Sequence, residues 1–255
     1  MRSVSRALLL AATIWLAGAT TVAASPFADW SAVVVAGDWH AHDGGPSEAF
    51  DNARRDVSLA LYRAGFQRQN LRQFSVRPER YKDMRPEKAA FEGIFEALGD
   101  LSAKAPGGCL FYLTSHGAPD GAVVDQGILR PGVLGAMLDR TCGARPTVVV
   151  ISACFSGVYV PVLARPNRMV LTAARPDRTS FGCGQDNKYP FFDDCFLSSM
   201  ADARDFAKLG GAVKECVRLR EIAENMSPPS EPQVWVGGEL RPVLPLLAFD
   251  RPAAN

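Results

Sequence analysis

The sequence predicts an α/β fold with a mostly parallel central sheet covered by helices on both faces. Two observations carry this. Several short runs are apolar throughout, notably SAVVVA at 31–36, CLFYLT at 109–114 and TVVVIS at 147–152. A strand buried on both faces reads this way, whereas a half-exposed one alternates. These runs alternate with segments of helical periodicity, the pattern of repeated βαβ units. With 255 residues, 47% hydrophobic and 22% charged, the chain has the apolar mass for a full core and is neither fibrous, disordered nor a multi-span membrane protein. At roughly 150 residues per domain, one large domain is the natural expectation. The formal charge of +1 offers no basic surface of the kind nucleic-acid binding needs.

Residues 1–24 are expected to stand apart from the fold. Arg2 and Arg6 precede a short apolar stretch from Ala7 to Ala17, followed by small residues ending in Val22-Ala23-Ala24. This is the pattern of a secretory signal peptide, cleaved after Ala24. Thr13, Gly18, Thr20 and Thr21 interrupt the stretch, which is too short for an anchor of about 20 apolar residues. Cleavage removes two arginines and takes the formal charge from +1 to −1. Residues 25–255 are then a single exported domain, periplasmic or extracellular.

The elements follow in order. Ser31–Ala36 is the first strand and 37–46 a loop. A helix runs from about Ser47, which can cap it, to Ala64, with Gly65 as its stop. A second strand spans Leu71–Val76. Pro86 opens a helix to about Lys104, with Phe91, Ile94, Phe95 and Leu98 on one side. Cys109–Thr114 is the third strand, and 117–127 is loop with room for a small hairpin. A helix starts at Pro131. Thr147–Ser152 and Met169–Ala173 are further strands. A long polar loop covers 175–190, two helices lie near 191–203 and 205–225, and Val234–Val236 is a late edge strand or hairpin.

In open α/β sheets, sites form beyond the carboxyl ends of the strands. The third strand delivers Ser115-His116-Gly117 and the fourth delivers Ala153-Cys154-Phe155-Ser156-Gly157. His116 and Cys154 are 38 residues apart, enough for a crossover between neighbouring parallel strands. A thiol beside an imidazole base is a nucleophilic pair. Gly117 frees a backbone N–H which, with that of Cys154, can hold an oxyanion. No metal or organic cofactor is needed.

FYLTSHG followed by VVVISACFSG resembles the caspase/haemoglobinase clan of cysteine peptidases, and within it the legumain-like family, peptidase C13. Val33–Gly37 is similar to that family's first strand. Leu171–Cys183 (LTAARPDRTSFGC) is similar to its next strand and specificity loop. The resemblance implies a caspase-like α/β/α sandwich and a cysteine endopeptidase acting on peptide or protein substrates. It implies Cys154 as nucleophile, His116 as proton donor and base, Gly117 as oxyanion donor and Asn52 as the residue orienting His116. Arg54, Thr179, Ser180 and Asp194 are implied to line the pocket for the P1 side chain, with Arg55 competing for the place of Arg54 and Asp193 for that of Asp194. An arginine beside an acid can read both ends of a carboxamide, which suits Asn at P1, or Asp at low pH. An acid alone would suit Arg or Lys. Transfer of the acyl group to an amine is a further capability of such a site. A catalytically silent cell-envelope scaffold and a small-molecule esterase or amidase are the alternatives.

Asp38, His40, His42 and Asp43 imitate a metal cluster. With only three histidines in the chain and no third ligand at suitable spacing, this loop is expected to border the cleft, with Trp39 as a wall. Six cysteines lie in the exported part. Cys109 and Cys142 precede adjacent strands and can bridge. Cys183 and Cys195 flank the polar loop, 12 residues apart, and are expected to pair. Cys216 is expected to be a buried free thiol, and Cys154 must stay free for catalysis.

Overall fold

The computed structural model describes residues 24–251. The signal peptide expected at 1–24 therefore falls, but for its last residue, outside the described residues. Among the described residues, no helix is long and apolar enough to cross a membrane.

In chain order the elements are β1 (Trp30–Ala36), α1 (Ala49–Arg63), β2 (Leu71–Ser75), β3 (Glu87–Lys88), α2 (Phe91–Lys104), β4 (Gly108–Thr114), β5 (Gly117–Ala118), β6 (Gly121–Val124), β7 (Gly127–Leu129), α3 (Pro131–Thr141), β8 (Thr147–Ser152), α4 (Val160–Leu163), β9 (Arg168–Thr172), α5 (Phe191–Asp202), α6 (Phe206–Ala223) and β10 (Gln233–Val236). Seven strands form one sheet in the order β10-β9-β8-β4-β1-β2-β3. All its pairings are parallel except that of β10, which closes one edge antiparallel to β9.

β1, β4 and β8 are buried along their whole length. Their side chains alternate between two cores, as the pleat requires. Val34, Leu110, Val150 and Leu171 join α1, α5 and α6 on one face through Val57, Phe196 and Val213. Val33, Phe111, Val149 and Val170 join α2 and α3 on the other through Leu98 and Leu134. This is the α/β/α sandwich expected.

Two local expectations change. The helix expected from Pro86 begins only at Phe91, because Glu87 and Lys88 pair with Phe74 and Ser75 as an edge strand. Where a loop with room for a small hairpin was expected at 117–127, residues 117–129 form a three-stranded antiparallel sheet, β5-β6-β7. The Ser47 hydroxyl does meet the start of α1, accepting from the Ala49 N–H at 3.2 Å.

The cysteines divide four and two. Cys109, opening β4, is bonded to Cys142 at the end of α3, as expected. Cys195 pairs with Cys216, not with Cys183, and Cys154 and Cys183 are free. The reason is packing. α5 lies against α6, and its buried face brings Cys195 to a Cα–Cα distance of 5.6 Å from Cys216, within the range a disulfide spans. Cys183 lies on the loop before α5 and lines a cleft instead. Cys216→Ser should cost about 3 kcal/mol of stability by loop-closure arithmetic. Urea unfolding alongside thiol counting checks this, and an unmoved midpoint with no extra free thiol would mean that the bridge does not form.

Candidate active site

The register between β4 and β8 builds the site. Thr114 lies opposite Ser152, and His116 and Cys154 each follow two residues later, so both leave the sheet at one level. Ser115 N–H donates to the Ser152 carbonyl at 3.0 Å, continuing the ladder one step beyond the strands. β1 ends at the same level, with Ala36 opposite Thr114, and sends the loop 37–48 over the same edge.

His116 and Cys154 line one cleft of about 770 Å³, together with His40, His42, Ser180 and Cys183. The Nε2 atom of His116 lies 2.9 Å from the carbonyl oxygen of His40. A carbonyl only accepts, so Nε2 carries the proton, and Nδ1 of the neutral ring keeps its lone pair. Phe50, from α1, packs edge-on against the imidazole with ring centroids 5.1 Å apart. Cys154 Sγ accepts the N–H of Ser180 at 3.2 Å and lies 3.6 Å from the Ser180 hydroxyl. Phe155 is in the left-handed region at φ 57°. A bulky residue rarely sits there, and here it breaks the chain out of β8 immediately after the thiol, with its N–H donating to the Arg178 carbonyl at 2.7 Å. A Cβ on Gly117 would lie 2.0 Å from the Cys154 carbonyl oxygen, so only glycine lets the two strand ends approach this closely.

Thr179 and Ser180 line the cleft as expected. Arg54, Asn52, Asp194 and Trp39 do not. Arg54 is fully buried in α1, bonded to Asp51 at 2.9 Å and to Gln73 at 2.5 Å, with its guanidinium over Tyr81. Helical phase turns it toward β2, where burial raises the pKa of Asp51 and Arg54 pulls it back down. Its competitor Arg55 forks onto Asp56. Asn52 donates to the Lys188 carbonyl at 3.2 Å and not to His116, whose ring is held by the His40 carbonyl instead. Asp194 projects outward from α5 to pair with Arg220. Trp39 does not line the cleft; it packs at a tilt against His40, with ring centroids 3.9 Å apart, and Arg77 lies over it at 4.5 Å.

Asp193, the competitor of Asp194, is fully buried beneath the site. One carboxylate oxygen accepts from Tyr112; the other accepts from Thr114 and Ser152, both at 2.8 Å. Thr114 and Ser152 each precede a candidate residue by two. One carboxylate thus ties together the ends of β4 and β8. Burial pushes its pKa up to about 6, against the three hydroxyls that pull it down. The Cys183 thiol is pushed up to about 11, first by burial and then by nearby Cys154. No group of three or more His, Cys, Asp or Glu side chains able to hold a metal occurs among the described residues. Asp38 takes the Nδ1 of His40 at 2.6 Å.

Phe50 carries no signal in the sequence. His40 is expected only to border the cleft, Cys183 to be bridged to Cys195, and Asp193 to compete for a place in the pocket, so none of the three is given the role seen here.

The raised pKa of Asp193 sets a sign. The folded state prefers the protonated carboxyl, so its contribution to stability is full below about pH 4 and is lost as pH rises through about 6. At roughly 1.4 kcal/mol per unit, the loss is a few kcal/mol at most. Asp193→Asn should flatten the fall in melting temperature between about pH 4 and pH 6.5. An unchanged pH slope in the variant would refute the assignment.

The Peptidase C13 family model matches residues 102–217, the span from the end of α2 through β4, β8 and the polar loop into α6. No curated protein matches the chain. Among solved structures, caspase-1 from Spodoptera frugiperda is similar at a TM-score of 0.59 and 15% identity, over 83% of this chain and 88% of that one. At that identity the likeness speaks for the fold alone. Family match and fold agree with the strand-end geometry and support the legumain-like peptidase C13 family in the caspase-like clan.

Proposed function

We propose that this chain is an exported cysteine endopeptidase in which Cys154 and His116 cut the peptide bond. The observation that supports it most is the pairing of Thr114 with Ser152, with His116 tethered through Nε2 to the His40 carbonyl. In this reading Cys154 Sγ, having passed its proton to the imidazole, attacks the scissile carbonyl carbon. The carbonyl oxygen takes up the negative charge and meets the N–H groups of Gly117 and Cys154. The C–N bond then breaks as His116 gives its proton to the leaving amine, leaving a thioester on Cys154. Water attacks the thioester to release the acid and free the thiol. An amine in place of water would give transpeptidation.

The residue holding the imidazole is His40, through its main chain, in place of Asn52. Thr179 and Ser180 remain substrate-facing. Export rests on residues 1–24, and the two disulfides are consistent with an oxidising compartment.

Peptide acyloxymethyl ketones bearing Asn, Asp or Arg at P1 test the reading, with intact mass and site mapping. Labelling is expected at Cys154 and not at Cys183, and is expected to be lost in His116→Ala. No labelling by any probe, with Cys154 shown reduced and the protein folded, would favour the silent scaffold.

Gly117→Ala bears on the same geometry. It should reduce labelling by about a hundredfold or more, the scale of losing one oxyanion donor, because the new methyl would collide with the Cys154 carbonyl. Wild-type labelling rates in that variant would remove Gly117 from the site.

A further inference from the structure

We propose that Asp38 is a positioning residue for His116, and that it acts by fixing the peptide unit of His40 and Ala41, whose carbonyl holds the imidazole. This rests on the peptidase reading above and concerns the same site.

The imidazole and the carbonyl that holds it are both referred to one rung of the sheet. Gly37 N–H donates to the Thr114 carbonyl at 3.0 Å. His116 follows two residues after Thr114, and His40 three residues after Gly37. The contact of His116 Nε2 with the His40 carbonyl at 2.9 Å closes the ring. One arm of it, Ser115, is tied to the Ser152 carbonyl by its N–H and to the Val123 carbonyl by its hydroxyl, at 3.0 and 2.7 Å. The other arm, Asp38-Trp39-His40, lies beyond the end of β1, so its shape depends on its own side chains.

Asp38 supplies that shape. A single carboxylate oxygen accepts the N–H of Trp39 at 2.6 Å, the N–H of His40 at 3.1 Å and the Nδ1 proton of the His40 ring at 2.6 Å. An aspartate that takes backbone N–H groups just ahead of it bends the chain as an Asx turn does. The Asp38 side chain is 14% exposed, so water competes little for these bonds. Trp39, in contact with both the His40 ring and the Arg77 guanidinium, braces the same turn.

The far side of the peptide is held as well. Ala41 N–H donates to the Gly45 carbonyl at 2.7 Å, and Ser47 N–H to the Trp39 carbonyl at 2.8 Å. The His40–Ala41 peptide therefore donates at its nitrogen while its oxygen accepts from His116. Hydrogen bonds chained through one amide polarise one another, which favours the imidazolium formed when Cys154 gives up its proton. The place of the Asp38 oxygen is what this arrangement requires, not the charge. Asparagine keeps an oxygen at that place without the charge. Glutamate keeps the charge and sets its oxygens one methylene further out.

The experiment uses the full exported chain, the acyloxymethyl ketone that labels Cys154 fastest, and NMR of ring N–H protons, of which three histidines give few to assign. The wild type is expected to show a downfield, slowly exchanging Nε2 proton of His116, identified by its loss in His116→Ala. Asp38→Ala and Asp38→Glu are expected to lose that resonance and to slow the maximal labelling rate about a hundredfold, the scale of a misplacement of about 1 Å. The half-saturating probe concentration is expected to stay within about twofold. Asp38→Asn is expected to keep the resonance and to label within about threefold of the wild type. Should Asp38→Ala fail to fold, the comparison of Asn with Glu decides alone. Labelling kept by Asp38→Glu and lost by Asp38→Asn would show that the charge acts, and would overturn the proposal. A wild-type rate and resonance in Asp38→Ala, or a wild type without the resonance, would overturn it too, while leaving the peptidase intact. No labelling of the wild type at Cys154 by any probe would instead bring down the peptidase reading, and this proposal with it.

Discussion

The alignment of β4 with β8 is the constraint on which the site depends. With Thr114 opposite Ser152, the thiol and the imidazole leave neighbouring strands at the same height. A slip of one residue would turn every side chain of one strand to the other face, exchanging Leu110 and Tyr112 with Cys109 and Phe111 between two separate cores. The hydrophobic effect therefore holds the register, and the site inherits its precision from burial on both faces of the sheet.

Asp193 adds a polar lock to this apolar one. Its carboxylate receives three hydroxyls from β4 and β8 and no basic partner among the described residues. A buried acid without a counterion is costly unless hydrogen bonds satisfy it. Here those hydrogen bonds come from the two strand ends whose relative position matters. Stability at neutral pH is given up at that point, and the strands are joined across the sheet by α5. Such polar satisfaction specifies an arrangement more than it stabilises one.

The two sides of the cleft are carried differently. Cys154 and His116 sit on the sheet's most buried strands. The groups that would read the substrate sit on loops, 37–48 and 175–190, joined to each other by side-chain contacts such as Gln185–Asp43. Binding residues on loops positioned by a rigid frame are a general arrangement. Arg54, by contrast, lies within α1 and faces the interior, under Tyr81 and paired with Asp51.

Local sequence was enough for the strands, since runs such as Thr147–Ser152 are apolar throughout, and for the helices that alternate with them. It also located the residues at the strand ends, because position at a carboxyl end follows from element order alone. It was not enough wherever a side chain's partner lay far along the chain. Asp193 and Asp194 are adjacent and chemically alike, yet helical phase buries one beneath Ser152 and sends the other to Arg220. Cys195 is nearer in sequence to Cys183 than to Cys216, but the packing of α5 on α6 chose the latter. His116 is held by a backbone carbonyl, which every residue possesses and no motif records. The sequence by itself determined the sheet and the delivery of His116 and Cys154 to one edge of it, since periodic burial is a local property. Only the tertiary structure decided the cysteine pairing, the support of His116 and the residues lining the pocket, because these depend on the rotation of each helix and the path of each loop.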